Sequence, residues 1–530
     1  MNCRHYTLLR RAAAAAALAV TAVFAPLSAT AQDEDDTITW ALPGLPDTLL
    51  VPHAWSVNTG GVMSLVQEGL TAFSNDLALK EGVADEWEQV DDTTYVYSIR
   101  DGVSFHDGSP VTAEDVAYSM NWHLDPENGS QMAAFYSAVD TIEATGESEV
   151  TIKLKRPDAQ FVYTPAHMSG FIMKRDQLEN NPDTYGTPDE LPLGTGPYAL
   201  VEFIPGERIL LAKNDNYWGP EPAFEQIEVL AIPDGQTRLL AMRNGDIDGT
   251  FGIPISEADQ WSGLDGVDVV TTPSLGVYFL TFDFETPPLD NVNVRRAIAH
   301  SLDREGLVQA LLSGNGAVAQ AINPPEMWAG IKSADAVREF YGTLDQHAFD
   351  LDEAAAAWEE ADVNGFEMSV PVSSADPYMS SIMLTLAQNV KPLGIELTVQ
   401  ELDHTQWLDA FMSHEDLGIQ MRRYFPDYAD PANYPFLFFA SENAVVNGSN
   451  TSNYRDEAVD GYLGTALQET DPEARAEALM KVTEKVNRDL PAVPIFWPAS
   501  AMAIDSDLKL DGFTAFWYNT PWAVRGFERK

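Results

Sequence analysis

From Thr94 to Trp122 the chain spells a strand, a tight turn and a capped helix in consecutive order. Tyr95, Tyr97 and Ile99 alternate with Val96, Ser98 and Arg100, the period of two that marks a half-buried strand. Asp101-Gly102 and Asp107-Gly108 are turn pairs, because glycine supplies the positive φ such turns require. Thr112 stands three residues before Asp115, a capping box with the shorter acid, and Val116, Tyr118 and Met120 continue on a helix. These constraints fix local structure and leave purpose open.

A chain of 530 residues is too long for one simple core and implies two or three domains. Its 45% hydrophobic and 10% aromatic content is that of an ordinary globular protein. The first 31 residues read as a secretory signal peptide. Arg4, Arg10 and Arg11 are followed by an apolar run from Ala12 to Phe24, and Ala29-Thr30-Ala31 has the form of a cleavage site. That run is shorter than the roughly 20 residues of a spanning helix, and no later segment is apolar enough to insert in a membrane. The one cysteine, Cys3, lies inside the leader, so the remaining chain has no disulfide, thiol nucleophile or thiolate metal site.

Charge excludes other classes. Removing the three leader arginines from 31 basic residues leaves 28 against 81 acidic ones. Such a field repels nucleic acid and anionic lipid, so neither is an expected partner. The acids are spread along the whole chain, which favours adaptation to high salt over an acidic capture surface. At 1 M salt the Debye length is about 3 Å, short enough to screen their repulsion.

Ile38 and Trp40 open a strand after the charged Asp33–Asp36 tail, and Gly61 to Phe73 carries helical spacing at Val62, Leu65, Val66 and Leu70. Tyr198 to Phe203 and Arg208 to Lys213 form a hairpin about Pro205-Gly206. Met368 to Val372, Met379 to Asn389 and Ile395 to Leu402 form a βαβ unit, and a helix-rich stretch runs from Arg455 to Asp489. The usual enzymatic signatures are missing. His414-Glu415 is not completed to HExxH, there is no GxSxG elbow and no P-loop, and Gly194-Thr195-Gly196-Pro197 opens no helix to receive a phosphate. With so many acids a chance carboxylate pair keeps a secreted hydrolase as the rival class.

The segment YSIRDGVSFHDGSPVTAEDVAYSM resembles the diagnostic stretch of the family 5 extracellular solute-binding proteins, the peptide- and nickel-type receptors of ABC importers. GTGPY, NDNYWG, MRNGDID, NVRRAIAHSLDRE, NVKPLGIELTVQ, PDYADPANY and LPAVPIFWP follow in the family's order and spacing. The resemblance implies an α/β fold: a two-lobed periplasmic-binding-protein clamshell with an additional N-terminal subdomain. By analogy, lobe I would be 33–72, 191–283 and 499–530, the subdomain 73–190 and lobe II 284–498. The hinge would cross near Phe279 to Phe284 and Ile495 to Ala501. The implied function is capture of an oligopeptide by hinge closure and delivery to inner-membrane permease subunits, by a monomer with no cofactor and no catalysis. Oligosaccharides, nickel chelates and opine-like solutes are the alternative ligands. With no cysteine at the cleavage point near Ala31 to carry a lipid, the resemblance implies a freely diffusing periplasmic protein.

The ligand site is likewise carried over from the family. Peptide-binding relatives salt-bridge the ligand's α-ammonium with an aspartate in a loop of the second lobe, and Asp427 in Tyr424-Phe425-Pro426-Asp427-Tyr428 occupies that position. The alternative is a loop acid that caps the next turn, the role read for Asp430 before Pro431. Dipeptide-binding relatives clamp the ligand carboxylate with an arginine where this chain has Ser380 and Ser381, a departure that counts against a strict dipeptide receptor. Arg422 and Arg423 could supply a positive charge, with strand alternation sending only one to the cleft. Trp55, Tyr424, Tyr428, Trp497 and Trp517 are the aromatic candidates for cleft walls, against a competing reading as core. His404 and His414 are ten residues apart, which fits no metal-ligand pattern, so no metal site is expected.

Overall fold

The computed structural model describes residues 37–530, so the expected signal peptide, Cys3 and the Asp33–Asp36 tail lie outside the described residues. The opening segment folds as its pattern dictates. Thr94–Ile99 is a strand whose alternate side chains are buried, and Ala113–Asn121 is a helix closed by the Thr112–Asp115 capping box. Gly102 and Gly108 hold φ of +85° and +82° in the two turns. The strand joins an antiparallel four-stranded sheet in the order Ala84–Asp91, Thr94–Ile99, Glu149–Leu154, Val139–Ala144. Its buried face, with Tyr95, Tyr97 and Ile152, packs on Val116 and Met120 of the helix.

Two further sheets share one strand. In the first, Thr37–Leu42 runs parallel to Gln226–Ala231 and to Gly249–Phe251. The expected hairpin, Tyr198–Ile204 with Arg208–Lys213, pairs beyond Gln226–Ala231. In the second, Val277–Phe282 lies between Ile419–Tyr424 and the amino half of the long strand Ala492–Asp505. The carboxyl half of that strand returns to the first sheet, pairing with Gly249–Phe251 and Val267–Pro273. The parallel pair Phe366–Ser373 and Ile395–Leu402, with the helix Pro377–Val390 between them in sequence, is the expected βαβ unit.

The chain therefore crosses between the sheets as an antiparallel ribbon, the Ser274 N–H donating to the Pro498 carbonyl at 3.2 Å. Pairing changes hands between Pro273 and Val277, a few residues before the crossing expected at Phe279 to Phe284, because that stretch already belongs to the second sheet. The helix expected over Gly61 to Phe73 is instead Val57–Met63, capped by Ser56, and Thr71–Phe73 is a strand paired with Leu79–Glu81. In between, Val66 and Gly69 give their carbonyls to Gly196 and Val83, bonds that a continued helix would forbid. Beside them the buried Glu68 carboxylate accepts from the Tyr217 hydroxyl (2.8 Å), the Trp218 indole (2.9 Å) and the Thr195 hydroxyl (3.2 Å). Burial pushes its pKa up to about 7.

Hydrogen bonds join the segments on both flanks of this crossing, the seam between the two large sheets. Tyr378 donates its hydroxyl to Ser256 Oγ at 3.2 Å. On the small-sheet side the Ala159 N–H donates to the Leu467 carbonyl at 2.8 Å.

Candidate ligand site

The strand Ile419–Tyr424 ends at the seam, and the proline at 426 turns the chain into the loop that carries Asp427. Strand alternation separates the two arginines, one to each face. Arg422 is buried, lies 3.8 Å from the centre of the Phe411 ring and donates to Thr451 Oγ1 at 3.0 Å. Burial pushes its pKa down to about 9. Arg423 is exposed, 3.5 Å from the Asp376 carboxylate and over the Tyr278 ring.

Asp427 is half-buried. Its one hydrogen-bond donor among the described residues is the Tyr424 hydroxyl, at 3.4 Å from Oδ2, and none of those residues forms an ion pair with it. Burial pushes its pKa up to about 6, with the tyrosine bond pulling weakly the other way. An ionised carboxylate in such a place is poorly compensated and favours a cation that arrives from outside. Asp430, three residues on, behaves otherwise. It accepts the Ala432 N–H at 2.9 Å, the capping role read from sequence, and is also ion-paired with the buried Arg475 at 2.8 Å.

Rings surround the Asp427 loop. Phe425 meets Phe516 edge-on at 6.0 Å and Tyr518 at 6.4 Å. Tyr428 is buried against Tyr163 (6.0 Å), Phe135 (5.3 Å) and His167 (6.2 Å), its hydroxyl 3.4 Å from Thr164 Oγ1. Trp55, 42% exposed, continues this surface outward with its edge on Phe135 at 5.4 Å. The structure thus brings Asp427, Tyr424, Tyr428 and Trp55 into one region.

The other two tryptophans lie elsewhere. Trp517 is buried in the first lobe, stacked on Phe251 at 3.9 Å and closed over Gly61, where even a methyl group would collide with its ring. That is core packing. Trp497 is buried beside Tyr341 on the long strand and lines a groove of about 370 Å³ at the crossing, between Thr272 and Glu326. The groove runs on into a larger one of about 600 Å³ along Pro325 to Ala334. His404 and His414 are apart, one against Trp407 and the other bonded to the Gly448 carbonyl, and no group of three candidate metal ligands occurs among the described residues.

Phe135, His167, Tyr163 and Tyr518 were not legible as site residues. They come from short turns far from residue 427 in sequence and carry no motif of their own.

A family model for bacterial extracellular solute-binding proteins, family 5 middle region, matches residues 78–445. The probable D,D-dipeptide-binding periplasmic protein DdpA of Escherichia coli strain K12 is 28% identical over 467 residues, covering 88% of each chain. The oligopeptide-binding protein OppA of Bacillus subtilis strain 168 is 29% identical over 486 residues, covering 85% of each. Among solved structures, HbpA2 from Haemophilus parasuis superposes with a TM-score of 0.82 at 21% identity, over 93% of this chain and 100% of that one.

Proposed function

The chain belongs to the family 5 bacterial extracellular solute-binding proteins, and from that premise we propose that it captures peptides with a free amino terminus for an ABC importer. The observation that carries this reading is the half-buried Asp427 carboxylate, which has no cation beside it among the described residues and rings on several sides. An α-ammonium supplies the missing charge. Tyr424, Tyr428 and Trp55 then border the first ligand residues, and Arg423, exposed at the end of the same strand, is placed to meet an anionic group further along. Trp517 packs inside the first lobe and Trp497 lines the separate groove at the crossing, so neither borders this ligand. The names of the relatives from Escherichia coli and Bacillus subtilis, which specify dipeptides and oligopeptides, favour the same ligand class.

The lobes act as the two halves of a clamshell, 37–72, 191–273 and 499–530 against 277–498, with 73–190 attached to the first. A ligand that touches both halves favours the closed form by contacts the open form lacks. That closed form is what periplasmic faces of the permease subunits would receive, and one copy of the chain suffices. Its role is carriage without chemical change to the ligand.

Calorimetry tests the anchor. Asp427→Asn should weaken binding of a free-amine peptide by about 30-fold or more, since truncating one side of such a pair costs about 2–5 kcal/mol. N-acetylation of the peptide should cost the wild type a similar factor and cost the variant little more. Equal affinity for acetylated and free peptide overturns the reading.

A further inference from the structure

Beside Asp427 lies a chain of touching rings, Tyr428 and His167 buried and Trp55 exposed, with one polar atom left over. Phe135 and His167 lie 4.7 Å apart, both meet Tyr428, and Trp55 stands edge-on to both, 5.4 Å from Phe135 and 6.5 Å from His167. The backbone beneath the outer ring is held: the Trp55 main-chain N–H donates to Gln131 Oε1 at 3.1 Å, and Gln131 Nε2 donates to the His53 carbonyl at 2.9 Å. The Trp55 indole is 42% exposed and leaves an apolar face on the rim of this cluster.

His167 supplies the polar atom. Its Nδ1 accepts the Ser169 N–H at 3.1 Å, and an imidazole nitrogen that accepts carries no hydrogen, so the hydrogen sits on Nε2. Burial, with the nearby His123 adding to it, pushes the ring's pKa down to about 3, which keeps this tautomer neutral throughout the working range. Every hydrogen bond of the ring falls on Nδ1, and among the described residues Nε2–H has no partner. Nε2 keeps a trace of solvent contact although the residue as a whole is only 2% exposed. A donor kept neutral and unspent beside an aromatic wall suits an amide carbonyl next to an apolar side chain.

We infer that His167 is a specificity-determining residue whose Nε2–H donates to a carbonyl oxygen near the ligand's amino end, while Trp55 and Phe135 grip an aromatic or bulky apolar side chain beside it. This rests on Asp427 as the amine anchor. The preferred ligand is a peptide with a large apolar residue in its first positions.

Two variants of the full chain and a set of synthetic peptides test it by calorimetry. His167→Phe keeps a ring of similar size and removes the donor. It should weaken free-amine peptides about 5- to 20-fold while leaving the preference for Phe over Gly intact, a split that general loss of packing would not give, although losing the Nδ1 acceptor of the Ser169 N–H lowers the thermal midpoint. Wild type should prefer a peptide beginning with Phe to its Gly counterpart by about tenfold or more. Trp55→Ala, at an exposed position that tolerates truncation, should reduce that preference to about threefold or less. If Asp427→Asn and N-acetylation weaken binding while both new variants bind as wild type does, the inference is wrong and the anchor stands. If acetylation changes nothing, the anchor itself fails and this inference fails with it.

Discussion

Asp427 costs the empty protein stability, and the cost has a definite pH window. Its folded pKa is raised to about 6 by burial, whereas an unfolded aspartate titrates near 4. The folded chain therefore holds this proton more tightly, so the penalty is fully present above about pH 6, fades as pH falls from about 6 to about 4, and is gone below that. Asp427→Asn should raise the unfolding free energy of the ligand-free protein by on the order of 2 kcal/mol near pH 7, a gap that closes towards pH 4 in denaturant titrations. Affinity for an amine moves the other way, because the ligand needs the carboxylate ionised: binding at pH 5 should be about tenfold weaker than at pH 7. The same side chain thus trades stability of the empty state for capture. Only part of this could be read in advance. Tyr424, Asp427 and Tyr428 stand together in one short run, and the capping of Ala432 by Asp430 is equally local. The partner Arg475 and the rings of Phe135 and His167 arrive by chain folding, which no short-range pattern records.

At the scale of elements, legibility followed the amount of local hydrogen-bond chemistry. The Thr94–Ile99 strand and the Ala113–Asn121 helix were fixed by alternation, by two glycine turns and by a reciprocal cap, and each appears where expected. Thr112→Ala should lower stability by about 1 kcal/mol, measured as a shift in the denaturant midpoint with unchanged slope. Gly61 to Phe73 misled because Val62, Leu65, Val66 and Leu70 are all buried, and a chain buried on every side imitates helical spacing. What decides that stretch is backbone bonding to Gly196 and Val83, residues well away in sequence. The first crossing of the ribbon shifted for a related reason. Val277–Phe282 is buried on both faces, so its apolar run marks an interior strand and says nothing about which sheet it joins.

For the whole molecule, the two-lobed plan was legible from the order of family motifs, and the net charge of −50 was legible as a bare count. Mutual repulsion at that charge opposes compactness and weakens as salt screens it, with a Debye length falling from about 10 Å at 0.1 M to about 3 Å at 1 M. The thermal midpoint should therefore climb as sodium chloride rises across that range, and a flat profile in calorimetric scans would contradict the account. The strand Ala492–Asp505 has a different consequence, one for biogenesis. It is interior to both large sheets, paired to Val277–Phe282 at one end and to Gly249–Phe251 and Val267–Pro273 at the other. A nascent polypeptide that stops short of it offers two open seams where backbone donors and acceptors have no partner, so neither half can mature on its own schedule. Vectorial synthesis, in which early domains ordinarily finish first, is overridden here. A segment made after every strand it pairs with is the one that lets both halves become native.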